Sequence, residues 1–333
     1  MKSLRCCLNY KCKTWPQLSG EYRNQLTALW DESFQCSHYI SHYPFLFQGQ
    51  SNSKIHWLEE KGKIQAALVT HPFHWTHANS KGLRACGLGS VAVQAQNRGR
   101  GLGLFLLKSV MQELSVESCD FVFLFSHQEK LYSKVGFQRA YPDVLLDLRK
   151  TRNSLQLDPN DPYLMVKKSN QNRVNVWELS DLKKEERNAL SPLKQLQEFW
   201  MVNAPKSWPN LTWDFWKGLF DLSDTKVFVL ESKKNQEIVA TFFAGKGIDF
   251  KNVAHSFIYQ NEEACYALMG YAILGRDQEA QRLENLLVNR ELLVQDSKLP
   301  MQISHSIMVR WFSENQKELA LSSFWDMPGI ASC

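Results

Sequence analysis

The 333-residue sequence has no run near the roughly 18 consecutive apolar residues of a membrane-crossing helix, so no membrane partner is expected. Met1-Lys2-Ser3-Leu4-Arg5-Cys6-Cys7 carries positive charge with no apolar stretch behind it, and does not read as a secretory leader. The eight cysteines form no second pair at zinc spacing to match Cys6, Cys7 and Cys12, so no metal is expected. Cysteines without a leader are expected to stay reduced, which predicts a cytoplasmic protein. Lys and Arg nowhere cluster along one element, which excludes an extended duplex-binding face and predicts no nucleic-acid partner. A hydrophobic fraction of 44% excludes wholesale disorder.

What is present divides in two, as the length predicts. Residues 1–150 hold 18 Lys and Arg against 11 Asp and Glu, whereas residues 151–333 hold 21 against 23. That mild positive excess suits a small polyanionic ligand in the first half. Periodicity there predicts a helix over Ser19–Ser33, a hairpin of Lys54–Glu60 and Ile64–Phe73 around Lys61-Gly62-Lys63, and a strand over Leu83–Val93. A helix over Gly99–Leu114, a strand over Asp120–Ser126 and a short helix over Glu129–Val135 closed by Gly136 follow. Two short strands are expected at Gln138–Ala140 and Val144–Leu148, then a polar linker over Arg149–Pro162. The second half repeats the order: a strand at Val174–Leu179, helices at Lys183–Leu190 and Trp213–Leu222, and a hairpin of Lys226–Glu231 and Glu237–Ala244. A strand at Val253–Tyr259, helices at Glu262–Gly275 and Gln278–Arg290, and a strand at Ser306–Phe312 complete it.

The segment Val93-Gln94-Ala95-Gln96-Asn97-Arg98-Gly99-Arg100-Gly101-Leu102-Gly103 joins a strand to a helix through glycines. Glycines let the backbone approach a ligand and take conformations a side chain forbids. The first N–H groups of a helix lack intrahelical acceptors and, with the helix dipole, form an anion site suited to a pyrophosphate. A P-loop is excluded, because Lys108-Ser109 follows Leu107 and not glycine. A dinucleotide fingerprint needs glycine where Leu104 stands.

Arg98-x-x-Gly101-x-Gly103 after a strand resembles the acetyl-CoA signature of the GNAT acyltransferase superfamily. Leu131-Tyr132-Ser133-Lys134-Val135-Gly136-Phe137 resembles its second hallmark, a tyrosine on a short helix before Gly-Phe. The resemblance covers residues 1–148. It departs at Ala95, where the family often has proline, and at Phe125-Ser126-His127, where it often has asparagine. It implies an α/β protein of the α+β type, a mixed sheet in the GNAT fold with two GNAT-like domains in tandem. Residues 1–150 would bind acetyl-CoA, and residues 151–333 would be a degenerate partner. There Gln260-Asn261-Glu262-Glu263 replaces the glycine turn, and two carboxylates repel a pyrophosphate.

By the same resemblance, the amides of Gly99, Arg100, Gly101, Leu102, Gly103 and Leu104 cradle the pyrophosphate. Arg98 and Arg100 add charge, and the backbone of Val91, Ala92 and Val93 pairs with the pantetheine arm. Tyr132 is the candidate general acid, a phenol able to protonate the leaving thiolate. The general base stays open among Glu59, Glu60, His71, His74 and water. His71-x-x-His74-x-x-His77 offers imidazoles on alternating strand faces, which would not converge on a metal. Cys86 is expected to be buried packing. The aromatic group Phe199, Trp200, Trp208, Trp213, Phe215 and Trp216 is expected in the core, with part of it able to line an acceptor pocket. The expected activity is transfer of an acetyl group from acetyl-CoA to a primary amine by direct attack in a ternary complex. The alternative is a non-catalytic acyl-CoA-binding module.

Overall fold

A computed structural model describes residues 8–47, 51–75, 83–126, 128–154, 172–178, 192–204, 225–245, 252–275, 278–288 and 301–312. The first half runs β1 (Asn9–Thr14), α1 (Gly20–Phe34), α2 (Pro44–Phe47), β2 (Lys54–Glu60), β3 (Lys63–Trp75), β4 (Leu83–Val93), α3 (Leu102–Val116), β5 (Phe121–Ser126), α4 (Glu129–Tyr132) and β6 (Gln138–Asp147). After α5 (Leu148–Ser154) come β7 (Asn172–Glu178), α6 (Pro192–Asn203), β8 (Lys226–Ser232), β9 (Ile238–Ala244), β10 (Val253–Tyr259), α7 (Glu262–Leu274), α8 (Gln278–Arg282), β11 (Asn285–Val288) and β12 (Met301–Trp311).

Local chemistry accounts for most boundaries. Ser19 accepts from the Tyr22 amide at 3.4 Å and starts α1, which buries Leu26, Leu29 and Trp30. The β2–β3 turn places Lys61 and Gly62 at φ +50 and +78, the left-handed pair that matches strand twist. Helix α3 buries Leu102, Leu106, Leu107, Val110, Met111 and Leu114, one stripe at helical spacing.

Among the described residues, hydrogen bonding joins the strands into one sheet of order β1-β2-β3-β4-β5-β12-β6-β11-β10-β9-β8-β7. Among the described strands, only the pairs β4–β5 and β10–β11 are parallel. Strands β1 to β5 and β7 to β11 thus repeat one layout from the two edges inward. At the centre the halves exchange strands: β12 lies on β5, and β6 lies on β11. The two exchanged strands also pair with each other. The repeat extends to a detail. Opposite β3, β4 carries an extra residue between Gly89 and Ala92, with Ser90 at φ +54; opposite β9, β10 does the same between His255 and Ile258, with Ser256 at φ +56.

On one face, a single core runs through both halves, from Trp30, Trp57 and Phe121 to Trp200, Val227 and Phe243. The opposite face has separate cores, one under α3 and α4 and one under α7.

Several expectations are corrected. β1, α2 and α6 were not foreseen, and α6 carries Phe199 and Trp200 into the shared core. β6 is one strand, not two. Pro142 cannot donate to the ladder, and the pairing with β12 shifts register beside it. Residues 148–154 are helical where a linker was expected. The helix expected over Gln278–Arg290 stops at Arg282, because Asn285–Val288 pairs with β6 and β10. The helices expected at Lys183–Leu190 and Trp213–Leu222, and residues His77, Trp208, Trp213, Phe215 and Trp216, lie outside the described residues.

Beneath α3, His56 is fully buried and holds Tyr10 Oη at 2.6 Å and Thr70 Oγ1 at 2.8 Å. Burial, helped by the Lys54 charge, drives its pKa down to about 3, and burial takes His71 down to about 4. Unfolded histidines titrate near pH 6.5. Below that pH the unfolded chain binds protons that the native state refuses, so stability falls as pH falls. The melting temperature is expected to decline from about pH 7 to pH 5, and to decline less steeply in His56→Gln. Parallel melting-temperature curves for the two proteins would show that His56 does not contribute.

Candidate active site

The parallel pairing of β4 with β5 lasts only from Ala85 to Gly87, opposite Phe121 to Phe123. Beyond it the strands part, and among the described residues no strand lies on that side of Leu88–Val93. Backbone groups along such an edge require partners. The bulge at Ser90 is pinned from the α1 side: Trp30 Nε1 donates to the Ser90 carbonyl at 2.8 Å, and Tyr39 Oη meets Ser90 Oγ at 2.9 Å. Gly87 and Gly89 inside an apolar strand were the available sequence signal for this bulge.

At the end of β4 the chain turns through Ala95–Asn97 into Gly99 and Gly101, at φ +77 and +80. A Cβ at either glycine would meet no protein atom within 4 Å, so this backbone faces open space. The turn is anchored on β3: the Gln94 amide donates to the Gln65 carbonyl at 3.0 Å, and Asn97 Nδ2 donates to Gln65 Oε1 at 2.6 Å. Arg98 Nε donates to the Val93 carbonyl at 3.2 Å, and Arg100 donates to Asn97 Oδ1. Helix α3 begins three residues later than periodicity predicts, at Leu102, and its first internal bond is Phe105 N to Gly101 O at 2.9 Å. No side chain caps this N-terminus, whereas Ser19 caps α1 and Asn261 caps α7. The structure therefore brings Val91, Ala92, Val93, Arg98, Gly99, Arg100, Gly101, Leu102, Gly103 and Leu104 to one edge, where a parted strand meets an open helix end.

Tyr132 sits on α4, on the α3 side of the sheet, and is buried with Phe137 edge-on at 5.9 Å. Ser126, at the end of β5, lies beside its phenol. Burial raises its pKa more than the nearby Ser126 lowers it, so it stays protonated at neutral pH.

The base candidates separate. Burial alone would raise the pKa of Glu59, but hydrogen bonds from Tyr22 at 2.6 Å, Lys11 at 2.9 Å and Trp57 outweigh it and hold the carboxyl below its usual value. Glu60 is half-buried beside the hairpin turn. His71 stands opposite Gly87, where β4 and β5 begin to part, with Ser53 Oγ at 2.8 Å and Phe45 and Phe73 edge-on. His74 is exposed, an odd number of residues along the same strand.

Elsewhere, Cys12, His56 and Glu113 converge within 4.8 Å, a grouping from β1, β2 and α3 that linear spacing could not reveal. Thiol, imidazole and carboxylate suit zinc. Here both imidazole nitrogens hold the bonds to Tyr10 and Thr70, and Glu113 takes the Tyr10 hydroxyl with Lys54 Nζ at 3.6 Å. Burial and the Glu113 charge push the Cys12 thiol up to about 12. The cluster is a filled hydrogen-bond network. Cys86 is buried, as expected.

In the second half β10 parts from β11 after Ala254, so the cleft geometry recurs. The helix end differs: Asn261 Oδ1 accepts from the Ala264 amide at 2.9 Å, and Glu262 and Glu263 occupy the first turn.

Residues 17–140 match the family profile described as an acetyltransferase (GNAT) domain. That match lies within the first half of the chain, and the chain as a whole shares its fold with solved N-acetyltransferases, a tandem GNAT protein among them. A GCN5-related N-acetyltransferase from Anabaena variabilis is 14% identical, with 92% of this chain and 73% of that one aligned at a TM-score of 0.57. One from Kribbella flavida is 12% identical, over 91% and 71%, at 0.51. A tandem GNAT protein from the clavulanic acid biosynthesis pathway is 9% identical, over 91% and 98%, at 0.52. No curated protein matches the chain in sequence.

Gly101 tests the turn itself. Alanine there keeps open space but must hold a left-handed φ, so Gly101→Ala is expected to cost about 1 kcal/mol in chemical denaturation. Gly20→Ala, in ordinary helical backbone with equal space, is expected to be neutral or slightly stabilising. Equal effects at the two positions would contradict the strained-turn account.

Proposed function

We propose that the protein is an N-acetyltransferase that moves an acetyl group from acetyl-CoA to a primary amine by direct attack in a ternary complex. The observation that carries this reading is the uncapped start of α3, facing open space where β4 leaves β5. Its amides from Gly99 to Leu104 would bind the pyrophosphate, with Arg98 and Arg100 adding charge-assisted contacts. The edge of Val91, Ala92 and Val93 that no described strand covers would take the pantetheine amides as a further strand would. The bulged amides would also stabilise the charge that develops on the thioester oxygen.

The amine nitrogen bonds to the carbonyl carbon, the C–S bond breaks, and the thiolate takes the Tyr132 proton. A phenol held protonated by burial suits that role. Glu59, already holding Tyr22 and Lys11, and His71, with a pKa near 4, are poor bases toward an alkylammonium. The amine would enter neutral and lose its second proton to water. The division at residue 150, with a second half that no longer holds cofactor, belongs to the same reading. Its support is the capped, acidic start of α7.

Release of free CoA is to be measured with acetyl-CoA against polyamines, aminoglycosides, amino acids and peptide N-termini. Turnover with one of these classes is expected, rising with pH as the amine deprotonates. Tyr132→Phe should lower kcat by roughly 10²–10⁴-fold with acetyl-CoA affinity unchanged. Unchanged kcat would remove Tyr132 from the mechanism, and binding without turnover across the panel would favour a non-catalytic acyl-CoA-binding module.

A further inference from the structure

The strand that the second half lends to the first also touches the helix carrying Tyr132. Arg310, next to the last residue of β12, donates from Nη1 to the Val135 carbonyl at 2.7 Å. Val135 ends the 3₁₀ turn that continues α4, and carbonyls at a helix end lack internal donors. Gly136 follows at φ +84. A Cβ there would lie 3.5 Å from Arg310 Nε and 3.6 Å from its Cδ, so glycine leaves the guanidinium its place against the backbone. No carboxylate among the described residues pairs with Arg310; its guanidinium lies over the Phe312 ring at 5.2 Å. A half-buried cation on the last carbonyl is a C-terminal cap that also complements the helix dipole. At the other end of the same segment, β12 pairs with β5 as far as Ser126, the residue beside the Tyr132 phenol. A single helical turn with one 3₁₀ turn does not hold its own shape in water, so this support comes from the second half.

We propose that Arg310 is a positioning residue for Tyr132: supplied by the second half on the exchanged strand, it clamps the end of residues 129–136 and fixes the phenol's aim. The proposal rests on the reading of Tyr132 as proton donor. A donor must come within about 2.6–3.2 Å of its target, and a displacement of 1 Å can cost about 100-fold.

The test is a double-mutant cycle in the full-length protein, read as kcat, acetyl-CoA affinity and melting temperature. Arg310→Met is expected to lower kcat by about 10- to 100-fold while acetyl-CoA affinity stays near wild type. Arg310→Lys should recover part of the loss, since an ammonium can donate to the same carbonyl. In the Tyr132→Phe background, Arg310→Met should cost nothing further. Equal kcat losses in both backgrounds would show a merely structural residue and overturn the proposal. So would an unchanged kcat in Arg310→Met beside a large Tyr132→Phe effect. A Tyr132→Phe protein with wild-type kcat would instead overturn the donor reading, and the proposal with it. If Arg310→Met does not fold, Arg310→Lys carries the comparison: an intermediate kcat alone, and no added loss with Tyr132→Phe.

Discussion

Two parallel strands that pair for three residues and then part make the rest of the first half possible. Past Gly87 and Phe123, β4 has backbone groups with no strand to bond, and the polypeptide reaches the open start of α3 at the same edge. A continuous ladder would have closed the sheet and left the glycine turn as an isolated anion hole. The parting turns it into an extended edge beside a positive helix end, a shape that would suit the proposed acetyl-CoA with its amides and phosphates. Trp30 and Tyr39 hold the bulge from one face, and Gln65 holds the turn from below. The cleft is thus built before any ligand arrives, which lowers the ordering cost of binding.

The second half repeats the parting and the bulge but fills the helix end with its own cap and two glutamates. Its contribution lies at the centre of the sheet. Because β12 lies on β5 and β6 lies on β11, neither half has a complete sheet by itself, and the core of Trp57, Phe121, Trp200 and Phe243 crosses between them. Burying such aromatic side chains stabilises by roughly 1.5–3 kcal/mol each, and here each half supplies the other's share.

What the sequence made legible follows from range. The strands Lys54–Glu60, Leu83–Val93 and Val253–Tyr259 were placed to the residue, since alternation and turn residues act within a few positions. The glycine turn was legible because left-handed backbone selects glycine at Gly99 and Gly101. Tyr132 stood out as a candidate from its place before Gly136-Phe137. The exchange of β6 and β12 was not, because pairings such as Ser306 with Ser126 span 180 residues and leave no local mark. Two strands were expected at Gln138–Ala140 and Val144–Leu148, although one strand runs through Pro142 with a register shift beside it. Asn285–Val288 read as helix until its partners on β6 and β10 were known. The Tyr10–His56–Glu113 network and the Arg310 cap are likewise products of folding, with each member ordinary in its own segment.

The most direct test of the account is calorimetric titration of acetyl-CoA into the full-length wild-type protein and Gly101→Glu. The variant brings a carboxylate to the first amides of α3, at a position whose Cβ meets no protein atom within 4 Å. The account predicts one acetyl-CoA per chain in the wild type and no detectable binding in the variant. Two sites per chain, or equal affinity in both proteins, would contradict it.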